Sequence, residues 1–318
     1  MTERLSQNKR LWLLPANTPA LILLALVLAG GLVWWQAVRK LDSKLCVTFL
    51  DVGQGDAIIV RSPAGRSLLI DAGGMPNRPI DKQETGEWLV VPALYRMGIK
   101  RLDAVIATHP HDDHIGGLAA VLQEVPVGLV LEGRGGPASP LAQELREIAQ
   151  KRRLKVVAAR AGQSFNLGGG VQAQVLAPAA LPLRGTGDDA NNNSVIIKLN
   201  YGAASFLLAS DAQAEEEGAL LAERPELSCT VLKVPHHGSL DSTSAEFLRG
   251  VTPKWAVISV GQRNGFGHPH GEVLARLKGA GARLFRTDEM GTIEMTTDGR
   301  RLWAEWGKEK RVQAELKL

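Results

Sequence analysis

The sequence predicts an α+β fold of two packed sheets flanked by helices, and three observations lead there. Short apolar runs joined by glycine turns recur from residue 45 onward, the mark of strands and hairpins. Stretches of helical character stand between them, too irregularly for the strict strand–helix alternation of a doubly wound parallel sheet. The pattern restarts near residue 194, dividing the strands into two sets.

Taken in order, 46–52 and 56–61 flank the turn Gly53-Gln54-Gly55 and read as a hairpin. A third strand over 67–71 ends at Gly73-Gly74. A helix over 87–97 leads to a strand over 103–108, and strands over 127–131, 155–159 and 171–177 follow, with a helix over 141–152 between the first two. The second set opens with a hairpin of 194–200 and 204–210, joined by Tyr201-Gly202. A helix over 213–222, a strand over 230–234, a helix from Thr243, a strand over 255–260 and a helix from Gly271 come next. Strands near 283–287, 291–296 and 301–306 close the fold, and 308–318 reads as a solvated tail or short helix.

Ahead of this domain, Pro19 to Val38 is a run of twenty residues without a charge, the length of a bilayer span. Trp34 and Trp35 stand near its end, and Arg4, Lys9, Arg10, Arg39 and Lys40 flank it. The organisation expected is therefore a flank at 1–18, a single N-terminal transmembrane helix at 19–38, a domain at 45–307 and a tail at 308–318. A cleaved signal peptide is the rival, since Val27-Leu28-Ala29 approximates a cleavage site, but the apolar run continues past it. The flanking charges nearly balance and leave the orientation open. They also account for the basic composition: the formal charge is +4, and residues 45–318 hold 31 basic and 31 acidic side chains. A domain so balanced has no broad electrostatic footprint for nucleic acid. Cys46 and Cys229, the two cysteines, begin strand-like runs and read as one disulfide or two buried thiols in adjacent strands.

The most informative stretch is His109-Pro110-His111-Asp112-Asp113-His114, directly after a strand. Three of the seven histidines fall here. Imidazole and carboxylate are the donors that zinc and similar divalent ions prefer. Residues two apart on an extended chain project to one side, so His109 and His111 can grip one ion. A bend into a helix near Asp113 would aim that carboxylate and His114 at a second, and Gly116-Gly117 leaves room for close backbone approach. Asp211 follows the 204–210 strand and reads as a helix cap or as a carboxylate bridging two ions. His236-His237 closes the 230–234 strand. Adjacent residues there cannot face the same way, so one would ligate metal while the other meets substrate or donates a proton. His268, in His268-Pro269-His270, is a candidate for contacting a substrate oxyanion, and Asn264 a candidate hydrogen-bond donor. The run Asn191-Asn192-Asn193 is ordinarily a turn, with one amide a candidate for a coordination or substrate position. Asp51, Asp56 and Asp71 lie beside glycine turns and read as structural.

Together these residues resemble the metallo-β-lactamase superfamily, through the His-x-His-x-Asp-His pattern at 109–114. The pieces Phe49-Leu-Asp-Val-Gly-Gln-Gly-Asp56, Leu69-Ile-Asp-Ala-Gly73, Pro235-His-His-Gly-Ser239 and Ile258-Ser-Val-Gly261 resemble, within it, the hydrolase domain of ComEC-type competence proteins. The resemblance runs over roughly 45–296. It implies an αββα sandwich with two divalent ions, Zn2+ or Mn2+, at the strand ends. His109 and His111 would hold the first ion, Asp113, His114 and His237 the second, and Asp211 would bridge. His236 would face the substrate, with His268 beside it. The superfamily's further histidine for the first ion has no counterpart around 190–193, which leaves that site short of a ligand.

The resemblance implies a membrane-anchored, metal-dependent hydrolase, a phosphodiesterase or DNA nuclease using a metal-activated water oriented by Asp113. The hydrolase domain would lie outside the cytoplasm. Competence proteins of this kind are multi-pass, and this chain has one apolar span, so DNA transport would fall to separate membrane channel proteins. The expected partners are thus the lipid bilayer, DNA or another phosphodiester, and such channels. Two rivals are a hydrolase of a small ester, lactone or phosphoester, which the neutral domain and scarce aromatics favour, and a non-catalytic domain that merely retains metal.

Overall fold

The computed structural model describes residues 18–41, 44–74, 85–133, 139–223, 226–307 and 312–318. The basic residues Arg4, Lys9 and Arg10 lie outside them. The chain divides into two units, 1–43 and 44–318. In the first, the apolar stretch forms helix α1 (Thr18–Leu41). Among the described residues, however, no helix is long and apolar enough to cross a membrane. The single-pass anchor expected at 19–38 is thereby overturned, and with it the placement of the hydrolase domain outside the cytoplasm.

The second unit opens with β1 (Leu45–Phe49), β2 (Ile58–Arg61) and β3 (Ser67–Ile70). A short π-helix over Thr85–Val90 runs into α2 (Val91–Arg96), followed by β4 (Ala104–Ala107), α3 (Asp112–Ile115), α4 (Leu118–Glu124), β5 (Val130–Glu132), α5 (Pro140–Lys151) and β6 (Val156–Ala158). Then come β7 (Ser164–Gly168), β8 (Val171–Ala177), β9 (Ile196–Tyr201), β10 (Ala204–Leu208), α6 (Ala214–Glu223), β11 (Val231–Lys233), α7 (Ala245–Val251), β12 (Trp255–Ile258), α8 (Gly271–Gly279) and β13 (Arg283–Arg286). The short helix α9 (Thr287–Met290) and strands β14 (Ile293–Thr297), β15 (Arg301–Trp306) and β16 (Ala314–Lys317) finish the chain. Two strands differ from expectation. β7 hairpins with β8, and β16, expected as tail or helix, adds an antiparallel edge to β15.

One sheet has nine strands in the order β16-β15-β14-β1-β2-β3-β4-β5-β6, the other seven in the order β13-β12-β11-β10-β9-β8-β7. Each is antiparallel on one side and parallel on the other, the parallel runs being β3 to β6 and β10 to β13. Both sheets are therefore mixed, as their interrupted strand–helix alternation requires. Alternation along the strands sorts the core into three layers. Leu45, Val47, Phe49, Ile58 and Val60 meet Ile197, Leu199, Phe206, Leu208, Val231 and Val257 between the sheets. Ile59, Leu69 and Val105 turn the other way, onto Leu94 of α2, Leu118 and Val121 of α4, and Leu145 of α5. Leu207, Leu232 and Ala256 turn onto Leu220 of α6, Phe247 of α7 and Leu277 of α8. This is an αββα sandwich. Phe206 and Phe247 are fully buried, and truncating either to alanine would cost about 3–5 kcal/mol.

Parallel strands end on the same edge, and that fact positions the site. The register Ile70↔Ile106 brings the ends of β3 and β4 side by side, and Leu208↔Lys233 does the same for β10 and β11. Helices follow β4, β10, β11 and β12 in the chain, so the strand-end connections carry side chains rather than continuing the ladder. Cys46 and Cys229 are buried free thiols, and burial pushes each up to about 12. Cys46 lies in β1 of the nine-stranded sheet and Cys229 just ahead of β11 of the other, so the adjacent-strand reading does not hold, and neither does a disulfide.

Candidate metal centre

After β4 the chain stays extended through His111 (φ −87°, ψ 148°) and then turns into α3, whose first residues are Asp112 and Asp113. The bend expected near Asp113 is there. It is tightly packed: a Cβ on Gly117 would strike the Ala72 carbonyl oxygen, and one on Gly116 would lie 2.9 Å from the Cα of Gly74. Glycine at 116–117 is thus what lets the loop after β3 lie against α3.

The structure brings together Asp113, His114, Asp211 and His237, each offering a donor atom within 4.8 Å of the others. Their focus is one oxygen, Asp211 Oδ2. It lies 3.1 Å from His114 Nε2, 3.4 Å from His237 Nε2, and 4.0 Å from both His109 Nε2 and His236 Nε2. Asp113 Oδ2 is 3.4 Å from His237 Nε2. The other nitrogen of each buried ring is engaged elsewhere. His109 Nδ1 is 3.0 Å from Thr108 Oγ1, His114 Nδ1 is 2.8 Å from Asp71 Oδ2, and His237 Nδ1 donates to the Ser259 carbonyl at 2.8 Å. The Nε2 atoms of His109, His114 and His237 are buried without a hydrogen bond of acceptable geometry. Three unpartnered imidazole nitrogens turned on one carboxylate would be costly in a dry pocket. They are the arrangement a divalent ion needs, down to the fixed Nδ1 that orients each ring. The residues present therefore fit metal ions.

His236 and His237 diverge as adjacent residues must, their ring centroids 6.2 Å apart. Both take left-handed backbone, with φ of 48° and 53°. That conformation is disfavoured for non-glycine residues and persists where surroundings enforce it. Here His236 N donates to the Ser210 carbonyl at 3.1 Å and His270 N to the Gly238 carbonyl at 3.0 Å. His237 is buried in the cluster, whereas His236 lies at its rim with Nδ1 3.0 Å from Asp241 Oδ1.

Three predicted residues sit differently. His111 faces outward, its Nε2 3.5 Å from Asp188 Oδ2, and joins the cluster through its ring edge, 4.7 Å from the His109 ring. His268 stands beside the rim, 5.7 Å from the His236 ring and 5.6 Å from that of Phe266, an exposed aromatic. Asn264, expected to meet substrate, is corrected: its amide is committed to its own loop. Its Nδ2 donates to the carbonyls of Gly261 and His268 at 2.9 and 2.7 Å, and its Oδ1 accepts from the amides of Phe266 and His268 at 3.1 and 3.0 Å.

Several contributors escaped the sequence. Lys233 is fully buried and donates to the Ser210 carbonyl at 2.8 Å. It pairs with Asp56 and lies 3.5 Å from Asp211 Oδ1. The lysine thus takes one oxygen of Asp211 and leaves the other to the histidines. A charge inside the apolar run Thr230-Val-Leu-Lys-Val234 was the available signal, since buried charges need partners. Asp71, read as merely structural, accepts from Thr108 N at 2.9 Å and Thr108 Oγ1 at 2.6 Å while holding His114.

The charges follow from this packing. Burial disfavours the Asp211 carboxylate, yet His114, His237 and Lys233 outweigh it and hold its pKa well below the usual range. Burial would likewise lower His237, but Asp211 and Asp113 raise it to about 9. His114 is raised well above its ordinary value by the same two carboxylates against burial. His109 is lowered, by burial and by neighbouring His114. At the rim, His236 is raised by Asp241 and Asp211 against burial, while burial and the charges of His237 and His236 lower His268 to about 4.

A family model described as the metallo-beta-lactamase superfamily matches residues 50–262. The chain belongs to that superfamily. It is also similar to "ComE operon protein 3" of Bacillus subtilis (strain 168), with 34% identity over 262 residues, 80% of this chain and 33% of that protein. It is 31% identical over 271 residues to "Competence protein ComA" of Neisseria gonorrhoeae, covering 85% of this chain and 35% of that one. Against "Recombination protein 2" of Haemophilus influenzae it is 32% identical over 233 residues, 73% of this chain and 26% of the relative. The chain thus spans about a third of the length of the curated relatives it matches. It is a superfamily hydrolase with ComEC-like competence relatives, carrying a His/Asp cluster suited to metal ions.

Proposed function

We propose that this protein is a two-metal phosphodiesterase whose substrate is DNA. The observation that carries the reading is the convergence of three buried, unpartnered Nε2 atoms on Asp211 Oδ2, with Asp113 Oδ2 3.4 Å from one of them, on His237. One carboxylate oxygen shared among donors on several sides suits a pair of ions about 3.5–4 Å apart. His109 and His111 would hold one, Asp113, His114 and His237 the other, and Asp211 both, with Zn2+ or Mn2+ as the candidates. Such ions supply a water acidic enough to attack at neutral pH and offset charge on the phosphoryl oxygens.

The chain's own groups do the rest. Asp113, whose Oδ2 lies 3.4 Å from His237 Nε2, would orient the attacking water. His236, whose pKa Asp241 and Asp211 raise against burial, would face the phosphoryl group and protonate the departing oxygen. His268, neutral at pH 7, and the exposed Phe266 ring line the approach, where a base can stack. The names of the relatives speak of competence and recombination, which directs the phosphodiester reading toward DNA. Transport would then belong to separate membrane channel proteins. A second reading, hydrolysis of a small phosphoester or ester, is favoured by the neutral charge balance of residues 45–318.

The test is a substrate panel. The full chain, supplied with Mn2+ or Zn2+, should cleave both single-stranded DNA and bis(p-nitrophenyl) phosphate, and chelation should stop it. Cleavage of the chromogenic diester alone would replace DNA with the small-substrate reading. No cleavage of either, with metal bound by elemental analysis, would refute the phosphodiesterase proposal.

A further inference from the structure

Asn191, Asn192 and Asn193 form one 3-10 turn ahead of β9, and all three are buried. Two are accounted for by their bonds. Asn192 Nδ2 donates to Gln213 Oε1 at 2.9 Å and Glu215 Oε2 at 3.2 Å, and its Oδ1 accepts from the amides of Gln213 and Glu216, each at 3.2 Å. Asn193 Nδ2 donates to the carbonyls of Leu183 and Asp189 at 2.9 and 2.7 Å, and its Oδ1 accepts from Leu183 N at 2.8 Å. Asn191 differs. Its Nδ2 lies 3.5 Å from His236 Nε2, and its Oδ1 is buried with no partner. An amide oxygen left so calls for a ligand.

Its surroundings say which. Asn191 reaches the cluster at His236, whose Nε2, like that of His109, stands 4.0 Å from Asp211 Oδ2. Asp188 fixes the turn: its Oδ1 accepts from the amides of Ala190 at 2.8 Å and Asn191 at 3.1 Å. Its other oxygen is the one 3.5 Å from His111 Nε2. One carboxylate therefore ties the asparagine and His111 together. His109, His111 and Asp211 offer only three protein donors on this side, and small divalent ions take four or more.

We infer that Asn191 Oδ1 is a ligand of the first ion, completing a set with His109, His111 and Asp211. A neutral amide oxygen in place of a nitrogen or sulfur donor favours a harder ion, so this position prefers Mn2+ to Zn2+ more strongly than the Asp113–His114–His237 position does. The inference rests on the two-ion reading above.

Metal binding tests it without recourse to activity. The full chain, stripped by chelation and titrated with Mn2+ or Zn2+ by calorimetry with elemental analysis, should take two ions. Asn191→Ala should keep the tighter ion, which also reports an intact fold, and bind the second about 10–100-fold more weakly. Asn191→His should reverse the metal preference of that second ion toward Zn2+. If Asn191→Ala fails to fold, the histidine variant decides alone, and an unchanged preference there overturns the inference. Two ions at unchanged affinity in the alanine variant would remove Asn191 as a ligand while leaving the two-ion reading standing. A single ion in the wild type would defeat both.

Discussion

His114 and His237, on one side of Asp211, are buried rings pinned at Nδ1 by Asp71, at the end of β3, and by the Ser259 carbonyl, after β12. His111, on the other side, has a side chain 37% exposed and faces Asp188, itself 36% exposed, in a connection outside either sheet. The first side is built from strand ends of both sheets, which the shared core holds in place. The second leans on the connection between β8 and β9, most of whose side chains from 181 to 189 are open or half-open to solvent. The contrast teaches that the His114–His237 side is preformed by the sandwich while the His111 side depends on a loop, and loops yield more readily than packed strands.

The largest effect should come from Asp211, where the two sides meet. Asp211→Asn should abolish hydrolysis and weaken both ions by more than about 100-fold, since even residues one step removed from a metal cost about 10–100-fold. Metal content by elemental analysis checks this, and a variant retaining two ions would break the bridging assignment. Asp71→Asn should fall in that 10–100-fold range for the ion held by His114, because it loses the charge that orients the ring. Asp188→Asn should cost only about 2–5-fold for the other ion, as an exposed pair is worth about 0–1 kcal/mol. If Asp188 proves as costly as Asp71, the preformed and loop-dependent sides are not different after all.

A separate effect, on stability, concerns the scaffold on the loop side. Glu216, whose amide donates to Asn192 Oδ1, is buried, and that burial together with Glu223 raises it from 4.5 to about 8. Between those values the folded chain holds a proton that the unfolded chain releases. Stability contributed by the neutral form is therefore complete below about 4.5 and declines as pH rises toward about 8. Glu216→Gln should be more stable than wild type by about 1–3 kcal/mol at pH 8 and indistinguishable from it near pH 4. Thermal melts at the two values check it, and a difference independent of pH would refute it.

Much of the site was legible because its donors are rare residue types at strand ends. His109, His114, Asp211 and His237 announced themselves by chemistry and position. Asp71 and Lys233 did not, because an acid beside a glycine turn and a lysine in a strand ordinarily face solvent. What makes them part of the site is burial, which no local pattern records. Asn191 stood in plain view with two identical neighbours, and only the partners of all three separate it from them. Asn264 misled for the converse reason: its donors point into its own loop. In the fold, hairpin turns and apolar runs were readable, but β16 was missed because an edge strand is defined by the neighbour it pairs with.

Sequence by itself determined the α+β class, most of the order of strands and helices, and the candidate donors for metal ions, since alternation, glycine turns and ligand chemistry are local properties. Tertiary structure alone decided which nitrogen of each histidine is left without a partner, which oxygen of Asp211 faces the imidazoles, and that a buried lysine takes the other. Those choices arise where the parallel edges of two sheets bring together residues more than a hundred positions apart. There, removal from water makes every unpaired polar atom expensive, and so settles which contacts form.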